Sequence, residues 1–379
     1  MSEQRWTTRR RLLKGVGVAG VAGLAGCLGG DGGGNGSGGS NETTDGSGGN
    51  ETTTMGGDNG SGNGSGGNES QGTAEGDLAD SMTVFHAGSL APPFSTAEPK
   101  FEQKYGVQVN REAKGSVGST KKITEQGRKA SVLGVSDFRL LRDMLMPEFG
   151  NWYAIFATNA MTIAYTDQST GSEDIGQDNW WEVLLRDDVS VAHSDPAVDP
   201  NGYRSVMTMQ LGAIPFQGEQ LYDEQTSQNL IEKAQVTSGT ETELLAQLQT
   251  GSLDYAFEYQ SAGATHDVQT VDFQPSVDLS KATQEYAQHY SKAEVQAGGT
   301  TFTGAPIAYG ITVPSVAPAP GLGARWVEYM ITGPGEQILK DSGFEVVQPA
   351  VVPQEAKEQV PSRVMENAEA RQSLGPLEL

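Results

Sequence analysis

The chain has 379 residues, with 25 Lys and Arg against 48 Asp and Glu and a formal net charge of −23. Such an acidic balance argues against nucleic acid and anionic membrane surfaces as partners. It fits work in high salt, where the Debye length is only about 3 Å at 1 M. The one cysteine, Cys27, excludes an intrachain disulfide and a dithiol zinc site. The four histidines, His86, His193, His266 and His289, are scattered without a metal-binding spacing.

The N-terminus reads as an address. Arg9-Arg10-Arg11 precede the short apolar run Gly15 to Gly26, which is too short for a bilayer span of about 20 residues. Residues 1–26 are therefore expected to be a signal peptide, with twin arginines that suit export of a folded protein. The run ends in Leu24-Ala25-Gly26-Cys27, a lipobox, making Cys27 the expected lipidation site. Residues 27–78 are rich in Gly, Ser, Asn and Thr and predict a flexible tether. Sequons at Asn35, Asn41, Asn50, Asn59, Asn63 and Asn68 make it a candidate for glycosylation.

Periodic structure begins at Met82–Ala87, a strand that ends in Gly88-Ser89. A helix follows over Ser95–Tyr105, then a strand at Val107–Val109. Gly115-Ser116 leads to a helix over Thr120–Arg128, and Val132–Val135 is another apolar run. Alternating strands and helices imply a mostly parallel sheet covered on both faces. Gly88-Ser89 and Gly115-Ser116 then fall at carboxyl ends of strands, before helix N-termini. There glycine allows close approach, and serine adds a hydroxyl and an amide donor to the helix dipole. Two such loops can cradle an anion without Lys or Arg, although Gly-Ser before a helix is also ordinary capping.

Asn159–Thr166 and Ala305–Val313 are similar apolar strands far apart in the chain. They suit either two crossovers between lobes or two unrelated buried strands. Between them, Ser194–Arg204 is turn-rich and leads to a helix over Ser205–Leu211. Thr240 opens another helix, with Gly251 near its end, and Asp254–Tyr259 reads as a strand. Ala324–Thr332 looks helical, with Gly333-Pro334-Gly335 breaking it.

Together these strings resemble the archaeal molybdate/tungstate-binding proteins of ABC transporters. The resemblance is carried by Phe85–Leu90, Gly115–Val117, Asn151–Tyr153, Ile163–Thr166, Asp199–Ser205, Asp254–Tyr259 and Tyr309–Thr312. It implies an α/β, two-lobed periplasmic-binding-protein fold of type II: two mixed or parallel sheets flanked by helices and joined by two crossover strands. Lobe 1 would be 79–162 plus 310–379, and lobe 2 would be 163–309. The oxyanion would sit between them, held by Gly88, Ser89 and Ser116 of lobe 1 and by Asp199, Pro200, Asn201, Glu241 and Tyr259 of lobe 2. The family often has cysteine where Asn201 stands, and this chain is shorter between Tyr203 and Glu241, which leaves Glu243 as a rival to Glu241.

Two carboxylates would repel a dianion unless they bind its central atom or hold protons. Molybdenum and tungsten accept hard oxygen ligands and expand from four to six, whereas sulfur in sulfate does not. Asp199 and Glu241 would then be ligands to the metal and a filter against sulfate; helix capping is the plainer alternative for both. The resemblance implies an extracytoplasmic, lipid-anchored monomer that delivers molybdate or tungstate to an ABC permease and its ATPase subunits. No cofactor or catalysis is expected, since no G-x-S-x-G elbow is present. A phosphate or sulfate binder on the same fold is the nearest alternative.

Overall fold

The structure is a computed structural model that describes residues 79–237 and 240–379. The signal peptide, Cys27, the tether and the sequons lie outside the described residues.

In chain order the elements are β1 (Ser81–His86), α1 (Ala91–Tyr105), β2 (Gln108–Ala113), α2 (Ser116–Thr124), β3 (Val132–Val135), β4 (Ala154–Thr158) and β5 (Met161–Tyr165). Next come α3 (Trp180–Leu184), β6 (Val191–Ser194), α4 (Pro200–Leu211), α5 (Glu224–Lys233), β7 (Gln235–Thr237), α6 (Glu241–Gln249), β8 (Tyr255–Tyr259), α7 (Ser261–Thr265) and β9 (Gln269–Asp272). The last part holds α8 (Gln284–Tyr290), β10 (Glu294–Ala297), β11 (Thr300–Thr303), β12 (Ala308–Thr312), α9 (Pro320–Met330), α10 (Gly333–Asp341), β13 (Glu345–Pro353) and β14 (Ala368–Arg371).

Two mixed sheets organise these elements among the described residues. One has seven strands in the order β14-β13-β4-β12-β3-β1-β2, and the other has five in the order β7-β6-β8-β5-β9. β1 pairs in parallel with β2 and β3, and β6 pairs in parallel with β7 and β8. Each parallel run then meets an antiparallel strand, β12 in the first sheet and β5 in the second. The chain passes from the first sheet to the second through Asn159-Ala160, and its return leads through Ala305–Ile307 into β12. Every residue of β3, β5, β8 and β12 is buried, as expected of central strands covered on both faces.

Several helices begin earlier than the spacing predicts, for local reasons. Pro92 and Pro93 stand in the first turn of α1, where a missing N–H costs nothing, so the helix starts at Ala91 rather than Ser95. α2 starts at Ser116 rather than Thr120, directly at the Gly115 turn. α4 starts at Pro200 rather than Ser205, because the Asp199 side chain accepts from the Asn201 amide. Gly333-Pro334-Gly335 ends α9 but also opens α10, with Pro334 in its first turn. β2 runs on to Ala113, beyond the Val109 limit, because it pairs with the whole of β1. β5 begins at Met161 because Asn159 turns its side chain to Ser261 and Tyr309 instead.

Candidate functional site

The parallel strands set the site's position. The loops after β1 and β2 carry Gly88, Ser89 and Ser116, and the loop after β6 ends in Asp199. Those loops meet across the two halves. The Ser89 amide donates to Glu241 Oε1 at 2.6 Å, and the Gly118 amide donates to the Val198 carbonyl at 3.2 Å. A methyl group on Gly88 would sit 2.8 Å from the Glu241 carboxyl carbon, and one on Gly115 would overlap the Val198 carbonyl. Only glycine permits the approach at Gly115, where the neighbour is backbone; at Gly88 it is the end of a side chain.

Asp199 is the N-cap of α4, Pro200 and Asn201 form its first turn, Glu241 opens α6, and Tyr259 ends β8. All five are buried, with Asp199 1% and Glu241 3% exposed. Glu243, the rival, faces solvent. Ser116 Oγ accepts from the Ser136 amide at 3.0 Å, and Ser89 Oγ hydrogen-bonds with Tyr309 Oη at 3.0 Å. The structure thus brings Gly88, Ser89, Glu241 and Tyr259 to one cavity, while Ser116, Asp199, Pro200 and Asn201 stand outside its lining. Gly88, Ser89, Glu241, Glu258 and Tyr259 share a cavity of about 50 Å³.

The electrostatics are unusual for a buried place. Of the charged neighbours of Glu241, Asp199 acts on it most strongly. Burial pushes the Glu241 carboxyl well above the usual carboxylate range, and the charges of Asp199 and Glu258 push it further. Glu258 is raised in the same way, by burial and then by Asp199. Asp199 Oδ2, Glu241 Oε2, Glu258 Oε1 and Asn201 Nδ2 are buried without a hydrogen-bond partner. Buried polar atoms are normally paired, and two of these orphans, on Glu241 and Glu258, belong to residues that line the cavity. Among the described residues, no group of three or more His, Cys, Asp or Glu is arranged to hold a metal ion by itself.

Sequence reasoning gave no role to Arg204, Asp137, Glu258, Asn159 or Tyr309. Arg204 is 2% exposed and donates to Tyr259 Oη at 2.8 Å and to the Ser136 carbonyl at 2.9 Å. Ser136-Asp137 follows β3 just as Gly88-Ser89 follows β1, so the same strand-end logic reaches it. His86, close to the site in sequence, is a core residue: Nδ1 donates to the Ala87 carbonyl, and burial lowers its pKa to about 4.

Comparison with known proteins places this geometry in context. Residues 82–345 match the family model described as bacterial extracellular solute-binding protein. An uncharacterized solute-binding protein of Methanoculleus marisnigri is 36% identical over 315 residues, covering 76% of this chain and 87% of that protein. The molybdate/tungstate-binding protein WtpA of Pyrococcus abyssi is 33% identical over 316 residues, covering 75% of this chain and 91% of that protein. The sulfate-binding protein SubI of Mycobacterium tuberculosis has a similar structure, with a TM-score of 0.52 at 17% identity over 75% of this chain and 92% of that one. The periplasmic molybdate-binding protein of Azotobacter vinelandii gives a TM-score of 0.50 at 15% identity over 70% of this chain and all of its own. These two share the fold. No helix among the described residues is long and apolar enough to cross a membrane.

Proposed function

Because the chain belongs to the bacterial extracellular solute-binding protein family, we propose that it captures molybdate or tungstate in the cleft and delivers it to an ABC importer. One observation carries this reading. Asp199 and Glu241 are both buried and act on each other's charge, and Asp199 Oδ2 and Glu241 Oε2 accept from no amide, hydroxyl or basic group of the protein. Two carboxylate oxygens and the four oxygens of a molybdate or tungstate ion make six around the metal. The anion brings the positive centre that relieves the repulsion between the two acids. Sulfate has no such centre to offer, so the same carboxylates repel it.

The remaining groups suit the oxyanion's own oxygens. The Ser89 amide already binds one carboxylate oxygen, that of Glu241. Ser116 at the start of α2 and Asn201 in the first turn of α4 add polar groups at two helix N-termini. Tyr259 closes the wall. Residues 79–162 with 310–379 and residues 163–309 act as lobes that shut on the anion. The protein is a carrier rather than a catalyst, held outside the cell by a lipid on Cys27, and docks as a monomer on its permease.

Calorimetry of the full chain tests the two acids. Asp199→Ala and Glu241→Ala each lower tungstate affinity by at least about a hundredfold, the scale of losing one ligand or its support, while circular dichroism stays native. Unchanged affinity in either variant overturns the coordinating role.

A further inference from the structure

Asp137 stands just beyond β3, in the half built on the seven-stranded sheet, yet two of its partners come from the other half. Tyr203 Oη donates to Asp137 Oδ2 at 2.8 Å, and Arg204 Nη2 lies 3.3 Å from the same oxygen. Arg204 Nη1 donates to the Ser136 carbonyl at 2.9 Å. Arg139, next to Asp137, donates to both of its carboxylate oxygens, at 2.9 and 2.6 Å. It also reaches across to the Thr303 carbonyl at 2.8 Å. Thr303 belongs to the β10–β11 hairpin, which is tied to α4 where Gln210 Nε2 donates to the Glu294 carbonyl at 3.1 Å. Phe302 of that hairpin stacks on Tyr203 with centroids 4.2 Å apart. Tyr203, Arg204 and the hairpin therefore grip the loop after β3 from the opposite side.

Arg204 has one further contact, with Tyr259 Oη at 2.8 Å. A guanidinium only donates, so the phenol oxygen accepts there and its single hydrogen must point elsewhere. Asp199 and Glu241 are among the charges that act on Tyr259. Arg204 Nη1 thus serves the Tyr259 hydroxyl and the Ser136 carbonyl of the other half at once, while Nη2 faces Asp137. Burial works against ionised Asp137, but the Arg139 and Arg204 guanidiniums outweigh it and hold the carboxyl well below its usual range. The grip is charged at every working pH.

We propose that Arg204, gripped by Asp137 and Ser136 of the facing half, is a positioning residue that ties closure of the cleft to the aim of the Tyr259 hydroxyl, and that the Asp137 cluster biases the protein toward closure before ligand arrives. This rests on the cleft's being the ligand site. When the halves part, Arg204 loses Ser136 and Asp137 together; it stays beside Tyr259 in its own half, but the guanidinium that directs the hydroxyl's proton is no longer fixed from across the cleft.

The test uses the full chain with Cys27→Ser, spin labels at the exposed positions Glu125 and Gln228, one on each half, and tungstate as the probe. Without tungstate, Tyr203→Phe and Asp137→Asn shift the label-to-label distances toward longer values. In stopped-flow binding, Tyr203→Phe raises the tungstate off-rate about tenfold, the scale of one hydrogen bond to a charged group, and raises rather than lowers the on-rate, since more of the free protein is open. A loss of packing alone would lower the thermal midpoint without raising both rates. Tyr203→Phe keeps its ring on Phe302, so it decides the matter should Asp137→Asn fail to fold. Unchanged distances and an unchanged off-rate overturn the proposal even if tungstate binds the parent tightly. Should the parent ignore tungstate while Tyr203→Phe still opens it, the closure bias stands and the ligand assignment falls.

Discussion

Around Asp137 a single carboxylate meets two guanidiniums and a phenol; Glu241 is instead buried within the field of two further acids, Asp199 and Glu258. Both clusters are buried, and α4 contributes to both, through Tyr203 and Arg204 in one and Asp199 in the other. Asp137 accepts from Arg139 through both of its oxygens and is held ionised. In the other cluster, Asp199, Glu241 and Glu258 each keep an unpartnered oxygen, and burial drives Glu241 and Glu258 toward their protonated forms. The contrast separates a cluster whose charges are paired across the two halves from one whose acids have no basic partner. A fully paired cluster adds rigidity, whereas an incomplete one leaves binding capacity.

The sharpest break of the comparison is Asp137→Ala. It leaves Arg204 buried without its counter-charge, and removing one partner of a buried pair costs about 3–5 kcal/mol. Urea unfolding measures it, and a loss below about 1 kcal/mol would mean that the cluster behaves as a surface pair. Next in size are the glycines where the halves touch. A methyl at Gly115 meets the Val198 backbone, while one at Gly88 meets the movable end of the Glu241 side chain at 2.8 Å. Overpacking costs about 1–3 kcal/mol, so tungstate affinity falls roughly a hundredfold for Gly115→Ala and about tenfold for Gly88→Ala. Equal effects in isothermal titrations would show that closure does not depend on that backbone approach.

The smallest effect has the opposite sign. Glu258 has a raised pKa when folded, so the stability it lends is whole below the usual Glu range and declines as pH rises above it. Glu258→Gln removes that decline. Thermal midpoints should be higher for the variant at pH 7 and converge with the parent toward about pH 4. Asp137→Asn runs the other way, because its lowered pKa gives stability above the unfolded value that is lost only as pH falls through the folded one. A Glu258→Gln variant less stable than the parent at pH 7 would contradict the contrast between the clusters.

The sequence shows one cluster better than the other for a physical reason. Gly88-Ser89 and Gly115-Ser116 are local signals, each a strand end followed by a helix start, whereas Asp199-Pro200 is carried only by the family resemblance, inside a segment that reads as turn. The sequence leaves Glu241 and Glu243 as rivals at the start of one helix, and only the structure separates them, burying Glu241 and turning Glu243 to solvent. The Asp137 cluster joins residues far apart in the chain, with Tyr203 66 positions away and Arg139 reaching 164 positions to Thr303. No local pattern announces such a pairing, because it exists only once both sheets are packed. Helix starts were missed where proline or an N-cap side chain moved them forward, as at Pro92 and Asp199.

The central claim is that the Asp199–Glu241 pair waits for a metal centre that brings its own oxygens. The most direct measurement is calorimetric titration of the full chain with tungstate, molybdate, sulfate and phosphate in high-salt buffer. Tight one-to-one binding of tungstate and molybdate, with sulfate and phosphate failing to compete at equal concentration, is the expected result. Sulfate or phosphate binding as tightly as tungstate would contradict it, because neither can accept two further oxygen ligands.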